Sequence, residues 1–284
     1  MTAPTAMRRR VSAVVLCLAL AACAPSARSA EPPLSLDGKF VQGGLVVGRA
    51  PVGSRITLDG KPVKQLADGR FLIGFGRDAR PEAVLRVRFK GGETTRRLAI
   101  KKRRYRIQRI TGLPPRMVTP PKEVLARIRA DAKLIRGARL TDTPEPFFDS
   151  GFIWPVEGPV SGVYGSQRIL NGKPRRPHFG VDVAVPTGTP VRAAAAGVVR
   201  VAVPDMYFTG GTVLIDHGFG LNSVYSHLSG LSVKPGQRVA KGAVIGAVGS
   251  TGRSTGAHLD WRVNLFLTRL DPALLVPPMP PGPH

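Results

Sequence analysis

Metal-capable side chains occur at even spacing in two short segments of this chain. His178 and Asp182 are four residues apart, and His258 and Asp260 are two residues apart. On an extended strand, even spacing places side chains on one face, and imidazole and carboxylate groups are ordinary zinc ligands. Two strands of one sheet could therefore bring these groups to a single cation, in the catalytic pattern of three protein ligands and one water. The alternative is a cluster of hydrogen-bonded structural residues.

The same segments belong to a series of motifs that resembles the lysostaphin/LytM-type zinc metallopeptidases. The resemblance covers the chain from about residue 151 to residue 276, and several motifs stand in the order of that family. It implies a bacterial cell-wall metalloendopeptidase that hydrolyses peptide bonds in peptidoglycan stem peptides or cross-links. The motifs are His178–Asp182, Pro186–Val191, Tyr225–Ser229, Val233–Gln237 and Gly249–Leu259.

The resemblance also implies a role for individual residues. His178 and Asp182 would be metal ligands, and His227 and His258 would be catalytic histidines that do not bind the metal. These histidines would orient or deprotonate a metal-activated water and stabilise the oxyanion. The implied cofactor is one divalent metal ion, with Zn²⁺ as the expected ion.

One position departs from the family pattern. The third ligand is normally the second His of a His-x-His motif, and Asp260 stands at that position here. We predict that Asp260 is a metal ligand, because a buried carboxylate needs either a cation or an arginine partner such as Arg262 or Arg168. Two carboxylate ligands would make the metal less electrophilic, and harder oxygen ligands could favour a different divalent metal. The alternative function is a catalytically degenerate, lipid-anchored domain that binds the wall or activates a hydrolase.

The first 23 residues have the features of a lipoprotein signal peptide. Arg8–Arg10 precede an apolar run, Val11–Ala22, that is too short to span a membrane permanently. Leu20–Cys23 resembles a lipobox, which predicts lipidation of Cys23 and attachment to the periplasmic side of a membrane. The alternative is simple cleavage near Ala27–Ser29, which would give a soluble periplasmic or secreted protein.

The charge balance is strongly basic, with 42 Lys and Arg residues against 18 Asp and Glu residues and a formal net charge of +24. Such a field attracts polyanions. For an exported chain, the expected anionic partners are peptidoglycan carboxylates and membrane head groups, and no nucleic acid is expected. The alternative is a solvated basic surface.

We predict a mainly β fold built from two modules and a linker that contains one helix. Asp-Gly and Gly-Gly pairs separate short apolar runs in the first module and predict hairpin turns. Apolar residues at helical spacing predict a helix over 121–138. After the signal peptide, the predicted segments are a tether (24–33), a β-sandwich-like module (34–103), a linker (104–150), a LytM-type antiparallel β peptidase domain (151–276) and a Pro-rich tail (277–284).

Two further interpretations concern the peptidase domain. Arg168 and Arg176 precede His178 on a loop and are predicted to bind substrate carboxylates. The succession of short strands and Gly-containing turns also resembles lipoyl- or biotinyl-type carrier barrels. The export signal and the absence of a Met-Lys modification site in the sequence disfavour a carrier.

Overall fold

The computed structural model describes residues 1–2, 34–112 and 115–280. The predictions for residues 3–23 of the signal peptide, including Cys23, for the tether and for the last four residues of the tail lie outside the described residues. The helices are α1 (Pro115–Val118) and α2 (Leu125–Arg139), and 3-10 turns occupy Lys122–Val124, Phe147–Ser150 and Pro272–Leu274. The strands are β1 (Ser35–Gly38), β2 (Leu45–Arg49), β3 (Arg55–Leu58), β4 (Lys61–Val63), β5 (Arg70–Gly74), β6 (Glu82–Phe89), β7 (Gly92–Ala99), β8 (Ile107–Ile110), β9 (Val160–Gly162), β10 (Gln167–Leu170), β11 (Lys173–Pro174), β12 (Val181–Val183), β13 (Pro190–Arg192), β14 (Gly197–Met206), β15 (Gly210–Asp216), β16 (Leu221–Leu231), β17 (Arg238–Val239), β18 (Val244–Val248), β19 (Leu259–Leu265) and β20 (Thr268–Leu270).

Two antiparallel sheets form the N-terminal module, as the sequence predicts. Their strand orders are β1-β2-β5 and β4-β3-β6-β7. Side chains from both sheets meet in one buried cluster that includes Val46, Phe71, Ile56, Leu85 and Val87. The apolar faces of two sheets are thus buried against each other, which is the packing of a β-sandwich.

The turn predictions in this module are correct at Asp59-Gly60 and wrong at Asp37-Gly38. Asp59 and Gly60 connect β3 to β4 with positive φ angles of 49° and 76°, as a two-residue hairpin turn requires. Asp37 and Gly38 lie inside β1 and pair with β2. A Cβ atom on Gly38 would be 2.4 Å from Leu45 O, so this glycine permits a close approach of two strands and does not form a turn.

A long antiparallel sheet forms the peptidase domain, in the strand order β17-β14-β15-β16-β19-β12-β9. Strand β18 pairs with β13 and β16, and β20 pairs with β19. Side chains alternate along β19, as predicted. Leu259, Trp261 and Val263 are fully buried in the main apolar core, so Asp260 and Arg262 extend from the opposite face.

Helix α2 packs on that opposite face of the sheet. Ile135 and Ala138 contact a buried cluster that includes Leu214 and Val224, and Val224 lies directly across from Arg262 in the pairing of β16 with β19. The helix begins at Leu125, after a 3-10 turn, and therefore starts a few residues later than predicted. Within the described part of the chain, no helix is long and apolar enough to cross a membrane.

The linker contributes a strand that the sequence analysis did not predict. Strand β8 pairs in parallel with β10, and β10 pairs with β11. The main-chain amide of Asn171 donates to Ile110 O at 2.8 Å, which extends this contact beyond the strand. The small sheet therefore fixes the segment that carries Arg168, next to the loop that leads to His178.

The N-terminal module and the peptidase domain share a core within one compact unit, residues 33–284. Leu66 and Leu72 of the module belong to the buried cluster of the peptidase domain. Arg103 forms an ion pair with the buried Asp271 at 2.6 Å. The start of the predicted tail also packs here, since Trp154 Nε1 donates to Pro277 O at 2.8 Å. We expect changes in the module to affect the stability of the peptidase domain.

Candidate metal centre and active site

Antiparallel pairing of β12 with β19 places Asp182 directly opposite Asp260. The third group, His178, precedes β12. Each of these three residues offers a ligand atom, and these atoms lie within 4.8 Å of one another. The exposed fractions of His178, Asp182 and Asp260 are 2%, 7% and 2%. The structure therefore brings these three groups together, and Asp182 and Asp260 do so from paired strands.

The backbone at His178 differs from the prediction of a strand that runs from His178 to Asp182. The strand begins only at Val181, and the backbone of His178 bonds to a turn in place of a neighbouring strand. Its amide donates to Ser166 O at 2.9 Å, and its carbonyl accepts from the amide of Gly165 at 2.7 Å. The imidazole still reaches the strand, because His178 Nε2 is 3.1 Å from Asp182 Oδ1.

Unpaired buried atoms indicate that this cluster fits a cation. His178 Nδ1, His178 Nε2 and Asp182 Oδ1 are buried and lack a hydrogen-bond partner among the described residues, because the short contact between the two side chains does not have hydrogen-bond geometry. Buried polar atoms without partners are costly. A divalent cation would satisfy Asp182 Oδ1 and one nitrogen of the His178 ring, and one imidazole with two carboxylates is a donor set that zinc accepts.

His227 and His258 flank the cluster, and their ring centroids are 4.7 Å apart. His227 Nδ1 is 2.8 Å from Thr251 O, and His258 Nδ1 is 2.9 Å from Gly256 O. Because a carbonyl oxygen only accepts hydrogen bonds, each Nδ1 carries a proton, and a neutral His227 ring therefore keeps an unprotonated Nε2. Burial lowers the pKa of His227 below its usual value, so its ring is neutral at pH 7.

His217 is a structural residue, in contrast to these histidines. It is fully buried, with Nδ1 at 2.7 Å from Ala196 O and Nε2 at 2.7 Å from Ser223 Oγ. Burial lowers the pKa of His217 to about 4. Both ring nitrogens of His217 are therefore used in contacts within the protein, and neither is available to a metal or a substrate.

Asp260 forms a two-point ion pair with Arg262. Arg262 Nε donates to Asp260 Oδ1 at 2.8 Å, and Arg262 Nη2 donates to Asp260 Oδ2. Burial raises the pKa of Asp260, but the charge of Arg262 and its hydrogen bonds lower that pKa more. The net pKa lies well below the usual range, so Asp260 is ionised at neutral pH. Either a metal or an arginine was expected as the partner of Asp260, and this geometry is compatible with both.

Arg168 is bound to the other carboxylate of the cluster. Its Nη2 is 3.1 Å from Asp182 Oδ2, and its Nε is buried without a partner among the described residues. Arg168 lies on β10 and not on the predicted loop, whereas Arg176 is exposed on the loop between β11 and His178. Substrate binding by Arg168 and Arg176 stays a prediction, and the ion pair gives Arg168 a role in holding Asp182 as well.

Sequence reasoning assigned no role to three residues that shape the site. Thr251 orients His227 through its carbonyl. Gly162 and Gly180 leave room for the carboxylates, because a Cβ atom on Gly162 would lie 2.2 Å from Asp182 Oδ2 and one on Gly180 would lie 2.6 Å from Asp260 Oδ1. The glycines were visible in the sequence, but their neighbours are distant in the chain, so no local pattern indicated these contacts.

The fold and the site define a metallopeptidase-type domain, and comparison with known proteins agrees. Residues 176–272 match the family model described as Peptidase family M23. A solved structure described as a peptidase M23 from Pseudomonas aeruginosa is 33% identical, with a TM-score of 0.63, and the match covers 84% of this chain and 94% of that chain. The chain therefore belongs to peptidase family M23, which confirms the resemblance seen in the sequence.

Curated relatives match over the peptidase domain. The DD-carboxypeptidase/endopeptidase Mpg of Neisseria meningitidis is 43% identical over 105 residues, which are 37% of this chain and 24% of that protein. The peptidoglycan DD-endopeptidase ShyA of Vibrio cholerae is 45% identical over 87 residues, which are 31% of this chain and 20% of that protein. The chain thus spans less than a quarter of the length of these two relatives.

Proposed function

We propose that this protein is a cell-envelope metalloendopeptidase that hydrolyses peptide bonds in peptidoglycan stem peptides or cross-links. The observation that carries the proposal is the buried cluster of His178, Asp182 and Asp260 beside the paired rings of His227 and His258. Three metal-binding groups next to two histidines are the parts that metal-assisted hydrolysis needs. The relatives named for peptidoglycan endopeptidase activity support the choice of substrate.

The chemistry divides between the metal and the histidines. A divalent metal bound by the three ligands supplies a Lewis acid that polarises a carbonyl and acidifies water, and Zn²⁺ suits this donor set. His227 is neutral and keeps Nε2 free to accept a proton from an attacking water, while Thr251 O fixes the ring through Nδ1. His258 Nε2 is 4.0 Å from Asp182 Oδ1, so this ring lies beside the metal ligands, where it can orient the attacking water.

Guanidinium groups around the site support an anionic substrate. Arg253 stacks over the ring of Phe208 at 4.3 Å. Arg253 as a whole is exposed, but desolvation of its guanidinium group, followed by the like charges of Arg168 and Arg262, lowers its pKa. A peptide that carries free carboxylates would relieve this repulsion. Stem peptides of peptidoglycan carry such groups.

Digestion of purified sacculi tests the proposed function. The full chain is stripped with a chelator, reloaded with Zn²⁺ and incubated with sacculi, and the soluble products are analysed by mass spectrometry. We expect the loaded protein to release peptides that carry a newly formed amino terminus, and the stripped protein to release none. A loaded protein that releases nothing with Zn²⁺, Co²⁺ or Mn²⁺ would contradict the enzyme and favour a wall-binding or hydrolase-activating role.

Localisation at a membrane through Cys23 is part of the proposal. The support is the lipobox-like Leu20–Cys23 after an apolar run. Several acyl chains hold a protein firmly at a membrane, whereas one holds it only weakly. We expect Cys23→Ser to move the protein from the membrane fraction to the soluble fraction or to leave it as an unprocessed precursor of altered gel mobility. An unchanged fraction together with unchanged mobility would contradict lipidation at Cys23.

A further inference from the structure

Arg262 differs from the other arginines at the site in the way it binds its partner. Two of its nitrogen atoms contact the two oxygen atoms of Asp260, with Nε at 2.8 Å from Oδ1 and Nη2 bonded to Oδ2. The Asp260 side chain is 2% exposed and the Arg262 side chain is 23% exposed. A two-point contact of this kind fixes the plane of the carboxylate as well as its position.

The backbone at Gly180 packs closely against the side chains of Asp260 and Arg262. A Cβ atom on Gly180 would lie 2.6 Å from Asp260 Oδ1, from Arg262 Cγ and from Trp261 O. Asp260 and Arg262 are two residues apart on β19 and therefore share one face of the sheet. The pair is thus held by strand geometry on one side and by a glycine on the other.

Binding to Arg262 does not prevent Asp260 from binding a metal. A carboxylate has about four lone-pair sites, and Arg262 uses two of them. The remaining sites are available to a cation shared with His178 and Asp182, whose ligand atoms lie within 4.8 Å. One carboxylate can therefore serve the arginine and the metal together.

The charge of Arg262 changes the electrostatics of the centre. With a neutral His178, the three ligands carry the charges of two carboxylates, Asp182 and Asp260, which would cancel a divalent ion. Arg262 offsets the charge of Asp260, so the pair contributes no net charge, as a neutral imidazole would. The metal then keeps more of its positive charge for polarising a substrate.

We propose that Asp260 and Arg262 act as one unit, in which Arg262 is a positioning residue that orients Asp260 and neutralises its charge for the metal. The inference rests on the metal centre of the proposed function and is independent of which substrate is cut. It revises the expectation that Asp260 makes the metal less electrophilic. It also predicts that position 260 accepts a histidine only when position 262 changes too.

A double-mutant cycle on metal affinity tests the proposal. The variants are Asp260→His, Arg262→Met and the double variant, and Zn²⁺ affinity is measured by competition with a fluorescent chelator without substrate. Asp260→His leaves Arg262 unpaired beside the cation, and we expect Zn²⁺ affinity to fall about 10–100-fold, the range for loss of an outer-shell partner. The double variant should regain affinity to within about tenfold of the wild type, because the unpaired charge is gone.

Arg262→Lys is the matched control, because it keeps the charge and loses the planar two-point contact. Its affinity should stay close to that of the wild type if charge dominates and should fall toward that of Asp260→His if orientation dominates. Thermal melts of the metal-free variants identify any that fail to fold. If another variant is unfolded, the Zn²⁺ affinity of Arg262→Lys is compared directly with that of the wild type.

Three results would overturn the proposal. The first is a single Asp260→His variant that binds Zn²⁺ as tightly as the wild type. The second is a double variant that binds as weakly as the single one. The third is a wild-type chain that holds no metal, because Arg262 would then be only the counterion of Asp260. The Zn²⁺ affinities of the variants could show the expected coupling while the Zn²⁺-loaded wild type fails to digest sacculi. That result would support this inference and contradict the proposed peptidase activity.

Discussion

Asp260→Ala is expected to remove the bound metal and the hydrolytic activity together. The substitution deletes one of three ligands and also leaves Arg262 without its ion-pair partner at the centre. Removing one member of a buried ion pair costs roughly 3–5 kcal/mol of folding stability, and the exposed part of Arg262 places the expected loss toward the low end of that range. Metal content by mass spectrometry and urea unfolding of the metal-free chain measure the two effects separately.

Asp260→Asn is the control for this experiment. It keeps the size of the side chain and one acceptor oxygen for Arg262, and it loses the negative charge. We expect Asp260→Asn to bind metal weakly and to lose less folding stability than Asp260→Ala. An Asp260→Ala protein that retains a full equivalent of tightly held metal would show that Asp260 is not a ligand.

His227→Ala is expected to lower turnover severely while metal content stays unchanged. His227 is outside the group of three ligands, so its removal leaves the metal site intact. A general acid or base contributes about 10²–10⁴-fold to rate, and kcat should fall by this factor. The assay is release of peptide from sacculi, with metal content measured on the same samples.

His227→Asn is the matched variant for this position. His227 has a positive φ of 67°, a conformation that asparagine adopts more readily than most residues. The asparagine amide can donate a hydrogen bond to Thr251 O, as the ring does now. This variant should fold like the wild type and still lack a base, so retained turnover in His227→Asn would show that His227 is not catalytic.

The pH dependence gives a second test of His227. Burial lowers the pKa of His227 below its ordinary value near 6.5. The neutral ring is the base, so activity is present above the folded-state pKa and is lost as pH falls through it. We expect the acidic limb of kcat/KM to lie below pH 6.5, and a limb above that value would contradict the assignment.

Local side-chain spacing correctly predicted the face of β19 that carries Asp260. Alternation along Leu259–Leu265 correctly separated the core residues from Asp260 and Arg262. The period of two residues is a property of any extended strand and needs no knowledge of its neighbours. The turn at Asp59-Gly60 is also a local feature and was predicted for the same reason.

Predictions failed where contacts between distant segments determine the backbone. His178 bonds to Ser166 and Gly165 and so lies outside a strand. Gly38 serves the pairing of β1 with β2, although Asp-Gly is a common turn pair. The pairing of β8 with β10 depends on a neighbour far along the chain, and the composition of the linker gave no indication of it.

The sequence by itself determined the family, the mainly β fold, and which residue types could bind a metal. These follow from motif spacing and from side-chain periodicity, which are both local. Only the tertiary structure decided which charges neutralise each other: Arg168 pairs with Asp182, and Arg262 pairs with Asp260. Electrostatic effects depend on distance and burial in space, and chain folding sets both by bringing β10, β12 and β19 to one point.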